Sequence, residues 1–518
     1  MFNKFVFQIQ NNLHFIECLF APSEIEYYNM QTFFRKKRKN AYMEPAVRNG
    51  YSDGCTSFFV RNCLPIGLWG ELEKYCTDRG FELEIKGMEH FINNAITLED
   101  ISAFVDNLFI GVEPEIKIRW YQYESIFKIL KYRYSAQQVS TAAGKTLISY
   151  SVAQYLKKMG NISVEKKFLM IVPRKDLVGQ TIEKFTVDYY NEKYPLKVMG
   201  IGGDYKYDEK TFNESEVIIS TFQSLNTLQN DIFKRIRVIN VDEAHTAKTD
   251  SIKRAIRLSM PLSYRFGLSG TIMVGTGYAD YYENLSMLGP ITFIYNPKNL
   301  IEDGFAPTVK IRKVVIDYAK RINSGEFNEY LEFYNNRPSK GSQEELEYFK
   351  ALYKLERDMI TSDEQRTDAI VKYVSSLKKN VLVLFNDVKG EFGKRLAEKM
   401  NEYKPTKYIF GGTNNLERSL YIKEIEKSDM NLVASFGTFS TGIDLKNVHY
   451  IVFAESYKSP ILIGQSIGRG LRNFKNKKAV TIIDFVDNAY KHTQKQYDSR
   501  EEIYKKQNYE ITTEKIIL

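Results

Sequence analysis

From about residue 115 onward the sequence alternates short apolar runs with longer amphipathic ones. That alternation restricts this part of the chain to parallel sheets covered by helices. The runs FLMIVP (168–173), EVIIST (216–221), IRVINVDE (236–243) and RFGLSGT (265–271) read as strands. A second series follows: VLVLFN (381–386), KYIFGG (407–412), NLVASF (431–436), VHYIVFAE (448–455) and AVTIIDF (479–485). Strands this apolar throughout are covered on both faces. Two such series predict two tandem α/β domains.

The chain has 518 residues, more than one ordinary core accommodates. The layout expected is a small α+β domain over 1–112, a first α/β domain over 113–300 and a polar connector or helical segment over 301–370. A second α/β domain over 371–490 and a charged tail helix over 491–518 complete it. In the first segment residues 1–18 alternate like a strand, the Asn49-Gly50 and Asp53-Gly54 pairs mark turns, and the run around Trp69 has helical spacing. No apolar run approaches the roughly 18 residues of a membrane span, and the start is not that of a signal peptide, so a cytoplasmic protein with no membrane partner is expected. The four cysteines, Cys18, Cys55, Cys63 and Cys76, form no C-x-x-C pair and read as buried or free thiols. A net charge of +9 permits a polyanionic partner without requiring one.

Chemistry enters at STAAGKT (140–146). A phosphate-binding loop needs small residues whose backbone N–H groups face the phosphates, a lysine for the β and γ positions, and a hydroxyl for Mg²⁺. Ser140, Thr141, Ala142, Ala143, Gly144, Lys145 and Thr146 supply these parts, although Val139 stands where such loops carry their first glycine. The following run KTLISYSVAQYLKK reads as a helix whose positive end meets the anion. About a hundred residues later VINVDEAH ends a strand in two carboxylates. Asp242 suits a water-mediated metal contact and Glu243 suits polarising the attacking water. In QSIGRGLR (465–472), Arg469 and Arg472 lie three apart, with Gln465 one turn earlier. Such arginines can act as fingers on a transferring phosphoryl group, worth roughly 10³ to 10⁵ in rate.

Taken together and in this order, these motifs resemble superfamily 2 DEAD/DEAH-type helicases, whose fold is two RecA-like domains. The resemblance implies ATP and Mg²⁺ as cofactors, with Thr146 and Asp242 holding the metal. It implies Gln122 on the adenine edge, with Arg119 or Tyr121 as its stacking neighbour, and Gly442 and Asp444 at the nucleotide. His245, Ser269 and Thr271 would couple ATP to nucleic acid. Pro173, Arg174, Gln180, Gly203, Thr221 and Gln223, with Gly412, Ser440 and Thr441 in the second domain, would contact the strand. Ala142 and Ser140 depart from the usual loop, yet alanine still lets backbone approach a phosphate.

The segment before the motor, RNGYSDGCTSFFVRNCLPIGLWGELEKYCTDRGFELEI, resembles the amino-terminal domain of the UvsW-like recombination helicases of T-even phages. That resemblance implies a DNA-stimulated, ATP-hydrolysing enzyme acting on branched or forked DNA in an infected bacterium. Implied activities are branch migration, fork regression and unwinding of D-loops and R-loops in recombination, repair and replication. It also implies a monomer that meets phage single-strand-binding or recombination proteins. RNA as the substrate, and movement on duplex DNA without strand separation, stay open as alternatives. The basic run Arg35 to Lys39 is either a phosphate contact or a solvated surface, and Trp69 either stacks on a base or fills the core.

Overall fold

The computed structural model describes residues 3–518 apart from 12, 260, 340–342, 387–390, 440–444, 457–458, 473 and 475–476. Its contacts divide into two units, Met1–Asn296 and Pro297–Leu518. No helix among the described residues is long and apolar enough to cross a membrane.

The first unit is built on a seven-stranded parallel sheet. From one edge to the other its strands are Ile291–Tyr295, Tyr134–Val139, Tyr264–Ser269, Ile236–Asp242, Lys167–Val172, Val217–Thr221 and Val198–Ile201. The strands expected from apolar runs are all present. Three others are added, and Tyr134–Val139, which leads into the phosphate loop, is one of them. It reads as polar, YSAQQV, yet it is buried because its polar groups find partners. Gln137 donates through Nε2 to the Ser125 carbonyl at 3.0 Å, and the Ser135 and Thr292 hydroxyls lie 2.5 Å apart. The helix Lys145–Lys158 is buried from Leu147 through Leu156 and leaves the loop at its amino end.

The amino-terminal segment forms a mixed four-stranded sheet of Cys63–Pro65, Phe15–Phe20, Lys4–Ile9 and Glu82–Lys86, with the helix Trp69–Asp78. Its core is continuous with that of the larger sheet. Phe34 and Phe58 lie against the Tyr282 ring at centroid distances of 6.3 and 5.6 Å, and Glu71 accepts from the Tyr281 hydroxyl at 2.9 Å. Trp69 is half-buried against Tyr132. Much of the basic run is committed internally: Arg35 pairs with Asp53, Arg38 with Glu44, and the Lys36 ammonium lies 3.9 Å from the Phe33 ring centroid. Lys37 and Lys39 remain exposed.

The second unit holds another seven-stranded parallel sheet, ordered Thr406–Ile409, Asn431–Ser435, Val381–Phe385, Tyr450–Phe453, Ala479–Asp487, Thr308–Asp317 and Glu510–Ile517. The range expected as a connector therefore opens with a ten-residue strand inside this sheet. Its remainder is helical (Asn328–Asn335, Gln343–Ser362 and Glu364–Ser375), and it buries Tyr330, Tyr348 and Leu352 in the second core. The tail helix Lys491–Lys506 is followed by an edge strand. Two fully buried ion pairs fasten helices to the strand Ala479–Asp487. Arg366 grips Asp487 at 2.7 and 3.0 Å, and Arg500 grips Asp484 at 2.8 Å through two nitrogens.

Candidate nucleotide site and nucleic-acid edge

A parallel sheet gathers its functional residues where the carboxyl ends of the strands meet the loops. In the first unit three adjacent strand ends bring the nucleotide-site candidates together. Tyr134–Val139 runs into the phosphate loop, Tyr264–Ser269 into Gly270 and Thr271, and Ile236–Asp242 into Glu243. Register places Ser269 beside Gln138, and Leu268 beside both Gln137 and Asp242, so the three ends are level. Gly144 takes a left-handed φ of 84°, and a Cβ there would run into the Gln122 amide. Only glycine suits both conditions.

Lys145 reaches across to Glu243, with Nζ 3.0 Å from Oε1. The Glu243 backbone is itself left-handed, φ 56°, a conformation that costs an L-residue about 1–2 kcal/mol. Ser269 donates to the other Glu243 oxygen at 3.1 Å, and His245 Nδ1 lies 3.0 Å from the Ser269 oxygen and 3.3 Å from that of Thr271. Burial pushes the His245 imidazole pKa down, so the ring is neutral, and a hydrogen on Nδ1 completes a chain from His245 through Ser269 to Glu243. Burial raises Asp242 above the ordinary carboxylate range. Glu243 meets the same burial, but the Lys145 ammonium and the hydrogen bonds from Lys145 and Ser269 overcome it and hold its carboxyl low. Adjacent carboxylates are thereby driven apart in acidity.

Asp242 accepts from the Glu243 N–H at 3.1 Å and has no salt bridge of its own among the described residues. A half-buried carboxyl so placed, at a strand end level with the one that leads into the loop, fits Mg²⁺, which takes one or two protein oxygens and fills its shell with phosphates and water. Among the described residues no cluster of three or more acidic, histidine or cysteine ligands forms a metal cage, and Mg²⁺ of this kind does not need one.

The helix Trp120–Tyr132 holds the adenine-reading candidates. Gln122 accepts from the Arg119 N–H at 2.9 Å and donates to the Ala143 carbonyl at 2.9 Å, which ties it to the loop. Tyr121 is fully buried, its ring stacked 3.9 Å from that of Tyr295 and its hydroxyl donating to the Ala143 carbonyl at 3.1 Å. It braces the loop and offers no open face to a base. Arg119 is half-buried, and Trp120, which the motif reading passes over, is 55% exposed at the same helix end.

The other half of the sheet edge carries the nucleic-acid candidates. Pro173 and Arg174 follow Lys167–Val172, Gly203 follows Val198–Ile201, and Thr221 ends Val217–Thr221. Thr221 and Ser224 share a hydrogen bond at 2.9 Å, a Cβ on Gly202 would touch both, and Gly203 abuts Lys175. Gln180 and Gln223 are exposed, and Arg174 lies 3.8 Å from Asp176.

In the second unit Gly412 sits in an exposed turn closed by the Phe410 N–H donating to Thr413 Oγ1 at 3.0 Å. Gln465 and Arg469 belong to the helix Pro460–Gly470, but their side chains lie outside the described residues, as do Ser440, Thr441, Gly442 and Asp444 entirely. Arg472 is half-buried just beyond that helix. A residue the motif reading misses is Lys477. Its buried ammonium donates to the carbonyls of Gly470 at 2.7 Å, Arg472 at 3.2 Å and Lys446 at 3.3 Å, capping the arginine-bearing helix. Its only sequence signal is one lysine in a basic run.

Comparison with known proteins agrees with this arrangement. Residues 115–274 match the family model described as type III restriction enzyme, res subunit, and residues 365–474 match the helicase conserved C-terminal domain. The chain is 29% identical over 484 residues to the ATP-dependent DNA helicase UvsW of Enterobacteria phage T4, covering 92% of this chain and 88% of that protein. It is 22% identical to the DNA 3′-5′ translocase XPB2 of Sulfurisphaera tokodaii, over 76% of this chain and 87% of that one. Among solved structures, Saccharomyces cerevisiae Dbp5 bound to RNA superposes with a TM-score of 0.53 at 14% identity, covering 82% of this chain and 96% of that chain. The DNA-bound type ISP restriction-modification enzyme LlaBIII gives 0.54 at 14%, covering 77% and 31%. One of these structures holds RNA and the other DNA, so the shared fold does not choose between them. Two RecA-like sheets, with the res-subunit model spanning the phosphate loop and DEAH strand end of the first and the helicase C-terminal model lying in the second, make one conclusion: the chain belongs to the superfamily 2 helicases, which are ATP-dependent enzymes.

Proposed function

We propose that this protein is an ATP-driven DNA helicase or translocase of UvsW type that remodels branched or forked DNA during phage recombination, repair and replication, in the cytoplasm of an infected bacterium. The observation that carries the ATPase half is the Lys145–Glu243–Ser269–His245 chain at one level of the sheet edge. A triphosphate entering the loop competes with Glu243 for the lysine. Glu243, so released, orients the attacking water; Thr146 and Asp242 would hold Mg²⁺, which would neutralise charge on the phosphates. For Gln465, Arg469 and Arg472 the proposed role is stabilising the transferring phosphoryl group, and for Gly442 and Asp444 it is nucleotide binding. Gln122 has one amide hydrogen and one oxygen lone pair beyond its two internal bonds, the pattern that the N7 and N6 positions of adenine require.

His245 and the Ser269–Thr271 pair link the γ-phosphate region to the strand edge beside it. There Pro173, Arg174, Gln180, Gly203, Thr221 and Gln223 hold the strand, and strand contact is likewise the role proposed for Gly412, Ser440 and Thr441 of the second unit. The amino-terminal segment, with exposed Lys37 and Lys39, selects the branch. DNA is supported by the UvsW relationship across nearly the whole chain, the amino-terminal segment included. The relationship to a protein named a DNA 3′-5′ translocase favours a second reading, movement on duplex DNA without strand separation.

The test is phosphate release measured with a four-way junction, a forked duplex, a plain duplex and an RNA duplex, paired with gel assays of strand products. The proposal expects the greatest stimulation by junction or fork, with products released. Stimulation by plain duplex without products supports the translocase reading, and stimulation by RNA alone overturns the proposal.

A further inference from the structure

At the pole of the first sheet opposite the phosphate loop, a cavity of about 330 Å³ opens between the amino-terminal segment and the starts of the strands. That volume lies at the lower end of the range for small-molecule sites. Arg133 immediately precedes the strand Tyr134–Val139, Lys166 precedes Lys167–Val172, and Arg237 is the second residue of Ile236–Asp242. All three line the cavity, with His90, Asn161 and Tyr134, and no aspartate or glutamate does. None of the three cations has a salt bridge among the described residues. Arg133 is held at a left-handed φ of 41°, and its Nε is a buried N–H without an acceptor. Strained backbone of this kind costs of order 1–3 kcal/mol and gathers at ligand clamps.

The layer behind the wall is also cationic. Arg265 is 1% exposed, its guanidinium 4.0 Å from the centroid of the Tyr134 ring; it donates to the Ser286 carbonyl at 3.4 Å, but its Nε has no acceptor and no carboxylate among the described residues pairs with it. A buried charge without a counter-ion is expensive. Helix carboxyl ends offset part of that charge at this pole, but Arg237 already satisfies nearby carbonyls, those of Lys234 and Ile236, and keeps further donors. Three cations around one opening and a fourth buried behind its wall, none paired with an acid among the described residues, call for an anion from outside.

We propose that this cavity is a second phosphate-binding site, separate from the phosphate loop, which takes the phosphate of a nucleotide, either free or within a nucleic-acid strand. Guanidinium groups suit phosphate because they present several N–H donors in one plane. The inference does not depend on the substrate proposed above.

The test uses the full chain carrying Lys145→Ala, so that the phosphate loop contributes no ammonium. Calorimetric titration compares thymidine monophosphate, the dinucleoside phosphate TpT and unphosphorylated thymidine. Lys166→Glu and Arg237→Ala, at exposed and half-buried positions, are each added to that background. We expect at least one phosphorylated probe to bind, thymidine not to, and each added change to weaken binding about tenfold or more, with thermal midpoints unchanged. Placed singly in the parent chain, the same two changes leave basal ATP turnover intact. Binding of the monophosphate alone identifies a free or terminal phosphate, and binding of TpT identifies strand backbone. If neither probe binds, or if both variants bind as well as their background, the site does not exist.

Discussion

Replacing Glu243 with glutamine separates two roles that the structure gives to a single carboxylate. Glu243 holds Lys145 at 3.0 Å, with side chains only 18% and 11% exposed. A hydrogen bond to a charged group contributes about 1.5–3 kcal/mol, and the Lys145 ammonium keeps one of the weaker kind with a neutral amide oxygen, so the change weakens the hold on the lysine by up to about 1.5 kcal/mol. An arriving triphosphate then recruits the ammonium more cheaply, and ATP affinity rises by up to about tenfold. The same change removes the group that polarises water, which lowers turnover by about 10²–10⁴-fold. Glutamine retains the shape; with its one oxygen on Lys145 its amide N–H donates to the Ser269 hydroxyl, which can rotate to accept, so the loss is not one of fold. Titration with a fluorescent ATP analogue and single-turnover phosphate release measure the two effects on one preparation. Tighter binding with slow turnover is the expected result. A variant that binds ATP more weakly, or hydrolyses it within about tenfold of the parent, refutes the idea that Lys145 is shared between Glu243 and the nucleotide.

Gln122→Ala removes both the adenine contact and the tie to Ala143, so KM for ATP rises about tenfold or more while that for GTP changes less; equal effects on both nucleotides would make Gln122 purely a brace. Asp487→Ala leaves the Arg366 guanidinium buried without its partner and destabilises the second unit by about 3–5 kcal/mol, read from urea unfolding. Burial lowers the Lys477 pKa to about 8 in the folded chain, against an ordinary 10.5. Between those values the unfolded chain binds more protons, so Lys477 adds stability as pH rises from about 8 toward 10. Comparing the parent with Lys477→Met at pH 7.5 and 9.5 should show the parent gaining about 1–2 kcal/mol relative to the variant, and a constant difference would count against the buried ammonium.

What was legible in the sequence and what was not divide along a physical line. Runs such as FLMIVP and VLVLF declare burial on both faces by their own composition, and they became central strands at nearly the expected bounds. YSAQQV does not, because its burial depends on hydrogen bonds to Ser125 and to Thr292, the latter more than 150 residues away. The edge strand Glu510–Ile517, EITTEKII, is largely exposed and joins its sheet through the backbone, so its side chains carry little strand signal. The interior strand Thr308–Asp317 mixes lysine and arginine with valine, and the ion pairs of Lys310 and Arg312 with that edge strand explain why the charges are tolerated. The same line runs through the site. Lys145, Asp242 and Glu243 were readable from spacing, since backbone-cradled phosphates demand a local motif. The bracing role of Tyr121, the cap at Lys477 and the unmatched cations around Arg133 were not, because each exists only where segments distant in sequence converge. Short-range chemistry names the motor. The parts that hold it rigid and adapt it to further ligands are written in long-range contacts, and there the structure supplies what no motif could.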